Sequence, residues 1–393
     1  MLKNDSTSLY KYSFGETDNM KIGIITFHSK VNYGAIFQTY ALQTVLTRMG
    51  HDVEIIDYWP QYRLNASGLF RKPAIKTEIT RKYIALRIYT LFKDILNLNM
   101  GIKRKKYFEE YFSKYLHISK NTFSTYDDLV ECKNTYDFFL AGSDQIWNPK
   151  LTGGKPDPAY FLAFVGDPKC CAAYAVSMGK DRIDASHVEE FRELVQNIGT
   201  ISVRESSAIP FVQQESGKNV VAVLDPTLLL KREEWTMTAQ SPKRVPNKYL
   251  LVFTVGANTS IFDFVQKTSH TLDLPIIYVG GGMRNIPHAS YVHPCELQWY
   301  FAHAAFVVTD SFHGTAFSII NKKPFYTITP FPRNERITDL LKQLDLLDRT
   351  FESGKDVKDI NRDIDYDAVY KKLNLLRDKS LDYLREITKE KIS

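Results

Sequence analysis

The sequence predicts an α/β protein built as two Rossmann-like lobes with a cleft between them and a helix at the C-terminus. Short apolar, β-branched runs alternate with segments at helical spacing, the pattern of parallel strands joined by crossover helices. The alternation halts at Lys231–Lys248, a charged stretch carrying Pro242 and Pro246, and then restarts. At 393 residues the chain exceeds the roughly 250–300 at which single hydrophobic cores stop growing, so it fits two. The expected units are a flexible segment 1–20, a first lobe 21–230, a linker 231–248, a second lobe 249–350 and a helical tail 351–393.

Lys21–Phe27 is a nearly continuous apolar run, as a strand buried on both faces requires. A polar loop, His28–Gly34, leads to Ala35–Met49 at helical spacing, stopped by Gly50, and then to the strand Asp52–Asp57. Ligands of such βαβ sheets gather at the carboxyl ends of strands, which makes Asn32, Tyr33 and Gly34 candidate contacts. One glycine stands in this loop where dinucleotide binding asks for three, so NAD and FAD are not expected. The strand Tyr136–Ala141 runs into Gly142–Pro149, where Asp144 and Gln145 are further candidates; the competing reading is that they close the loop on its own backbone. Cys171–Ser177 reads as a strand, Ile183–Ile198 as a helix, Ile201–Ser206 as a strand with Arg204 near its carboxyl end, and Val220–Leu224 as the last strand of the lobe.

In the second lobe the strands are Tyr249–Val255 and Ile276–Val279, the latter opening into Gly280–Gly282, with helices at Ser260–Thr271 and Glu296–His303. Ala305–Thr309 is then a strand that turns into a helix within a few residues, through Asp310-Ser311-Phe312-His313-Gly314-Thr315. The first turn of a helix presents unpaired N–H groups and the positive end of its dipole. An anionic group is therefore expected on Ser311, Phe312, Gly314 and Thr315, with the His313 imidazole beside it. Phe325–Thr329 is a strand, a loop with Arg333 and Arg336 follows, and helices are expected at Ile337–Leu344 and from Tyr366 to about Ile387. Two lobes, a linker and a terminal helix able to lean back on the first lobe make a GT-B-like architecture.

Composition narrows the function. Four cysteines lack metal-ligand spacing and suit a reducing compartment, and no metal is expected. Neither a signal peptide nor an apolar run near the ~20 residues of a membrane span is visible, so the expected location is cytoplasmic. The net charge of +6 is concentrated: residues 71–120 hold thirteen bases against four acids, interleaved with Tyr83, Ile84, Leu86, Ile88 and Leu91. Such a basic amphipathic stretch is either a solvated helical face or a peripheral contact with an anionic membrane. No nucleic-acid motif accompanies it, and nucleic acid is not an expected partner.

Lys21–Tyr58, Ala141–Asn148, Ile201–Ala208, Leu224–Leu229 and Val307–Phe325 together resemble the polysaccharide pyruvyl transferase family, with similarity running from about residue 21 to 350. The resemblance implies a GT-B-like fold and transfer of a pyruvyl group from phosphoenolpyruvate to sugar hydroxyls, giving a ketal and phosphate. The acceptor would be nucleotide-linked or lipid-linked, and phosphoenolpyruvate would serve as co-substrate with no further cofactor. In that family an arginine after a first-lobe strand and an Arg-x-His pattern in the second lobe hold the donor. Arg204 matches the former and His313 the histidine of the latter, while Ser311 stands where its arginine would be.

The chemistry makes the same demands of the residues. A carboxylate and a phosphate need cations and convergent N–H donors. Arg204 supplies a planar fork, and Arg336 is the candidate to replace the missing cation. Proton delivery and removal suit an imidazole, which makes His313, with Arg204, the expected catalytic pair. Asn32, Tyr33, Gly34, Asp144 and Gln145 would then line the acceptor side. Two other functions fit the same architecture: a nucleotide-sugar glycosyltransferase with its diphosphate on the Gly280–Gly282 loop, and a non-catalytic sugar-binding protein.

Overall fold

Seven parallel strands make the first sheet, and their sequence order explains the succession of crossovers. A computed structural model describes residues 19–28, 31–67, 98–255, 261–280, 291–328, 335–351, 360 and 363–389. In chain order the first lobe runs β1 (Lys21–Ile25), α1 (Tyr33–Arg48), β2 (Asp52–Tyr58), α2 (Gln61–Ser67), α3 (Leu98–Tyr115), β3 (Ile118–Phe123), α4 (Tyr126–Leu129) and β4 (Phe138–Ala141). It continues with β5 (Cys171–Val176), α5 (Val188–Leu194), β6 (Thr200–Val203), α6 (Ile209–Ser216) and β7 (Val220–Ala222). The strand order is β3-β2-β1-β4-β5-β6-β7, so winding reverses between β1 and β4. The central strands β4 and β5 are buried at every position, which is why they read as unbroken apolar runs. By contrast β3, a polar edge strand with three exposed residues in a row, is hidden in sequence inside the basic stretch.

The second lobe follows as α7 (Arg232–Thr236), β8 (Leu250–Thr254), α8 (Phe262–Leu272), β9 (Ile276–Gly280), α9 (Pro294–His303), β10 (Phe306–Thr309), α10 (Phe312–Ile320), β11 (Phe325–Ile328), α11 (Glu335–Gln343), β12 (Thr350–Phe351) and α12 (Tyr366–Lys389). Its parallel sheet is ordered β12-β11-β10-β8-β9, with reversal between β8 and β10. Two expectations are corrected. Ile183–Ile198 is not one helix but α5 flanked by 3₁₀ turns, through which Phe191, Val195 and Ile198 all reach the core. The stretch 231–248 is not a bare linker: α7 buries Trp235 against Phe37 of α1 (ring centroids 5.6 Å apart) and Phe317 of α10 (4.9 Å). With Phe37 also 5.1 Å from Phe317, one apolar cluster runs through both lobes.

A bulge in β5 shapes the approach to the cleft. Ala175 takes φ 49°, and the pairing with β6 shifts register between Ala173 and Val176. Ser202 of β6 fills the gap, its hydroxyl donating to Ala173 O (3.0 Å) and accepting from Ala175 N (3.2 Å). The terminal helix α12 ties to both lobes. Tyr370 Oη donates to Ile320 O at the end of α10 (2.6 Å), whereas Arg377 Nε donates to Leu228 O (2.9 Å) and Ser380 Oγ accepts from Leu224 N (2.9 Å), both beyond β7. Tyr383 Oη reaches the bulge at Ala173 O (2.9 Å).

Residues 1–18 and 68–97, which carry the N-terminal segment and most of the basic stretch, lie outside the described residues. So do Ser29, Lys30, Gly281, Gly282 and Arg333. No helix among the described residues is long and apolar enough to cross a membrane.

Candidate functional site

Both reversals of winding open toward the cleft, and crevices at such points are where ligands of open parallel sheets bind. In the first lobe the first turn of α1 carries Gly34, the loop after β4 carries Asp144, and the segments after β6 and β7 add Arg204 and Asp225. In the second, the loop after β10 becomes α10 and delivers His313.

Arg204 is the centre of the arrangement. Its backbone N–H donates to Val176 O (3.0 Å), immediately past the bulge, and the side chain is only 2% exposed. Nη1 donates to Asp225 Oδ2 at 2.9 Å, Nη2 stands 3.8 Å from Asp144 Oδ1, and the guanidinium carbon lies 4.8 Å over the Phe312 ring. Burial works against this charge, but Glu205, Asp225 and Asp144 outweigh it and hold the guanidinium above its usual range. Nε and Nη2 are buried and have no hydrogen-bond partner among the described residues. Buried donors without a hydrogen bond are costly, and this pair is disposed to take an anionic ligand.

Asp225, which the sequence analysis did not single out, is a hub. Oδ1 accepts from Thr227 N (3.0 Å) and Thr227 Oγ1 (2.7 Å); Oδ2 accepts from Arg204 and from Ser143 Oγ (3.2 Å) and lies 3.6 Å from His313 Nε2. Burial opposes its charge, yet His313 and Arg204 hold the carboxyl well below the usual range. The signal was present in sequence: Asp225-Pro226-Thr227 just after a strand is an Asx-type cap, and it fixes the carboxylate at the sheet edge. Glu205 was also missed. It is fully buried, accepts from Ser177 Oγ, and has its pKa raised by burial against the pull of Arg204.

Arg336, near the start of α11, lines the same pocket as Arg204, Asp225, Phe312 and Gln343. Burial and then Arg204 push it down to about 10, with Glu205, Asp144 and Asp225 pulling the other way, so it is still a cation at neutrality. His313 is seated by its neighbours. A Cβ on Gly34 would come within 2.1 Å of His313 Nδ1, and one on Gly314 within 2.1 Å of Thr309 Oγ1. Both glycines are demanded by close packing.

Several expected contacts are corrected. The Ser311 hydroxyl caps α10 by accepting from Gly314 N (3.3 Å), and Thr315 donates both N–H (2.9 Å) and Oγ1 (3.0 Å) to Ser311 O. The N–H groups of Gly314 and Thr315 are thus spent on the helix start. The Phe312 ring lies under the Arg204 guanidinium. Asn32 caps α1, accepting from Ala35 N (3.3 Å). Tyr33 is buried, its hydroxyl donating to Val292 O (2.6 Å) and accepting from Val292 N (3.0 Å), so it clasps the lobes together. Gln145 Oε1 is taken by Asn148 Nδ2 (3.0 Å), and Asp144, held at φ 79°, faces Arg204 as well as its own loop. A second clasp is Ser206, whose N–H (2.9 Å) and hydroxyl (2.5 Å) both donate to the Asp339 carboxylate of α11. Among the described residues no group of three or more His, Cys, Asp or Glu is placed to hold a metal ion.

Comparison with known proteins agrees on the family. A sequence model described as polysaccharide pyruvyl transferase matches residues 32–330. No curated protein matches the chain. Among solved structures, the UDP-GlcNAc 2-epimerase of Methanocaldococcus jannaschii, in complex with UDP-GlcNAc and UDP, is similar over 94% of this chain and 99% of its own, at 13% identity and a TM-score of 0.48. The glycosyltransferase SsfS6 of Streptomyces sp. SF2575 is similar over 94% and 99%, at 12% identity and a TM-score of 0.42.

Proposed function

This chain belongs to the polysaccharide pyruvyl transferase family, and from that premise we propose that it moves a pyruvyl group from phosphoenolpyruvate onto two hydroxyls of a polysaccharide precursor. The observation that carries the reading is the buried, unpaired Nε and Nη2 of Arg204, in a guanidinium that lines one pocket with Arg336. Two cations suit a small donor with a carboxylate and a phosphate, and Arg336 supplies the positive charge that Ser311 does not. In the reaction two C–O bonds form at C2 of the donor, its bond to the phosphate oxygen breaks, and C3 becomes a methyl group. Of the two protons released by the hydroxyls, one ends on C3 and one on the departing phosphate. His313, beside the pocket and 11% exposed, is the group that exchanges them. No further cofactor enters this scheme.

The runner-up is a nucleotide-sugar glycosyltransferase with its diphosphate on Gly280–Gly282; of that loop Gly280 alone is among the described residues, and a Cβ there would lie 2.4 Å from Thr254 O, so close packing on β8 accounts for this glycine. Phosphate release from phosphoenolpyruvate, measured against a panel of nucleotide sugars and lipid-linked oligosaccharides, tests the proposal. Arg204→Ala and His313→Ala are expected to lower turnover by about 10²–10⁴-fold. Undiminished turnover in both variants would overturn the roles assigned to these two side chains.

The proposal places the reaction at the cytoplasmic face of a membrane. On α3 the exposed Lys103, Lys105 and Lys106 flank Ile102, which is 49% exposed. Co-sedimentation with anionic but not neutral vesicles is the expected result, and equal binding to both would remove this part of the reading.

A further inference from the structure

The cleft holds a contact between the lobes that the donor-binding reading does not require. Asp225 belongs to the first lobe and His313 to the second, yet Oδ2 of the one stands 3.6 Å from Nε2 of the other. Nε2 is buried and has no hydrogen-bond partner among the described residues. The opposite side of the ring, at Nδ1, packs on Gly34 in the first turn of α1. The carboxylate cannot swing away: Thr227 holds Oδ1 with two hydrogen bonds, and Ser143 and Arg204 hold Oδ2. At 3.6 Å this is an ion-pair contact and not a hydrogen bond; an ionised carboxylate offers only acceptors, so it favours a hydrogen on the imidazole nitrogen that faces it.

We propose that Asp225 is a positioning residue that fixes His313 in the Nε2–H tautomer, leaving Nδ1, beside Gly34 of α1, as the atom that takes up the acceptor proton. This deepens the pyruvyl-transfer reading and rests on it for the direction of proton movement. The division of labour follows from the geometry. One ring nitrogen stands 3.6 Å from a carboxylate that also grips Arg204, and the other lies against Gly34 in the first turn of α1. The charges around the ring are Asp225 itself, Arg204 stacked on the adjacent Phe312, and Arg336 across the pocket. Because Asp225 joins Arg204 to His313, it links the group that holds the donor to the group that moves the proton.

The test is ¹⁵N-imidazole NMR of the full chain in alkaline buffer. The protein has nine histidines, and His313→Gln assigns the signal of interest. The wild-type signal is expected to show Nε2 protonated and Nδ1 bare. Asp225→Asn, which can turn an amide N–H toward Nε2, is expected to shift the population toward Nδ1–H and to lower kcat by about 10²–10⁴-fold, as a wrong tautomer does. Ser143→Ala, which removes a single hydrogen bond from Oδ2, is expected to move the spectrum in the same direction by less. A wild-type spectrum with the proton on Nδ1 overturns the proposal even if Asp225→Asn fails to fold. An Asp225→Asn spectrum identical to the wild type also overturns it. A chain that shows the expected tautomer but releases no phosphate from phosphoenolpyruvate refutes the substrate reading alone, because the spectrum does not depend on turnover.

Discussion

Gly34 occupies a position where any side chain collides with the His313 ring, since a Cβ would lie 2.1 Å from Nδ1. Gly34→Ala is expected to cost about 1–3 kcal/mol through overpacking and to reduce turnover far more than melting temperature, as read by thermal unfolding beside phosphate release. A second residue-scale prediction concerns Asp57, whose carboxylate accepts from His28 Nε2 (2.9 Å), Trp59 Nε1 (2.6 Å) and Thr122 Oγ1 (2.6 Å). Burial pushes its pKa up, but these bonds win and hold it at about 2 against an ordinary 3.8. Stability from this group is present above about pH 4 and disappears as pH falls toward 2, an effect of about 2 kcal/mol in the unfolding free energy measured by urea denaturation. Asp57→Asn should flatten that dependence. Residue identities at the cleft were partly legible. Arg204, Arg336 and His313 stand out as chemistry at strand and helix ends. Asp225 did not, because a carboxylate after a strand reads equally as a turn cap, and here it is both.

At the scale of elements, α1 and α10 meet face to face, with Trp235 of α7 wedged where they cross. An apolar interface of this kind favours cooperative unfolding of the two lobes. Trp235→Ala is expected to destabilise by about 3–5 kcal/mol and to split the calorimetric transition in two. A single, merely shifted transition would show that the lobes are joined by something else. Strands such as β4 and β8 were legible because burial on both faces writes a continuous apolar run. The helix bearing Trp235 was not, because three of its other four residues are charged and two prolines follow, which is the composition of a linker. The edge strand β3 was lost for a related reason: half-exposed polar residues inside a basic stretch leave no period to read.

For the whole molecule, the arrangement of two parallel sheets and a returning helix could be anticipated from the alternation of elements, whereas the contacts that fasten the lobes could not. Tyr33 with Val292, and Ser206 with Asp339, join residues more than a hundred positions apart, and nothing local marks them. The helix α12 has a further consequence. It grips the end of α10 through Tyr370 and the segment around Asp225 through Arg377 and Ser380. The two halves of the proton-handling pair are therefore phased by the pitch of one rod. A single alanine inserted between Tyr370 and Arg377 would turn the second set of grips by about 100° relative to the first. Such an insertion, more than a helix turn away along the chain from any group in the cleft, is expected to silence turnover, whereas a four-residue insertion restores the angle to within about 40° and moves the grips apart by about 6 Å. Comparing the two separates angular from axial tolerance, a mechanical property of the enzyme that no substitution in the pocket would expose.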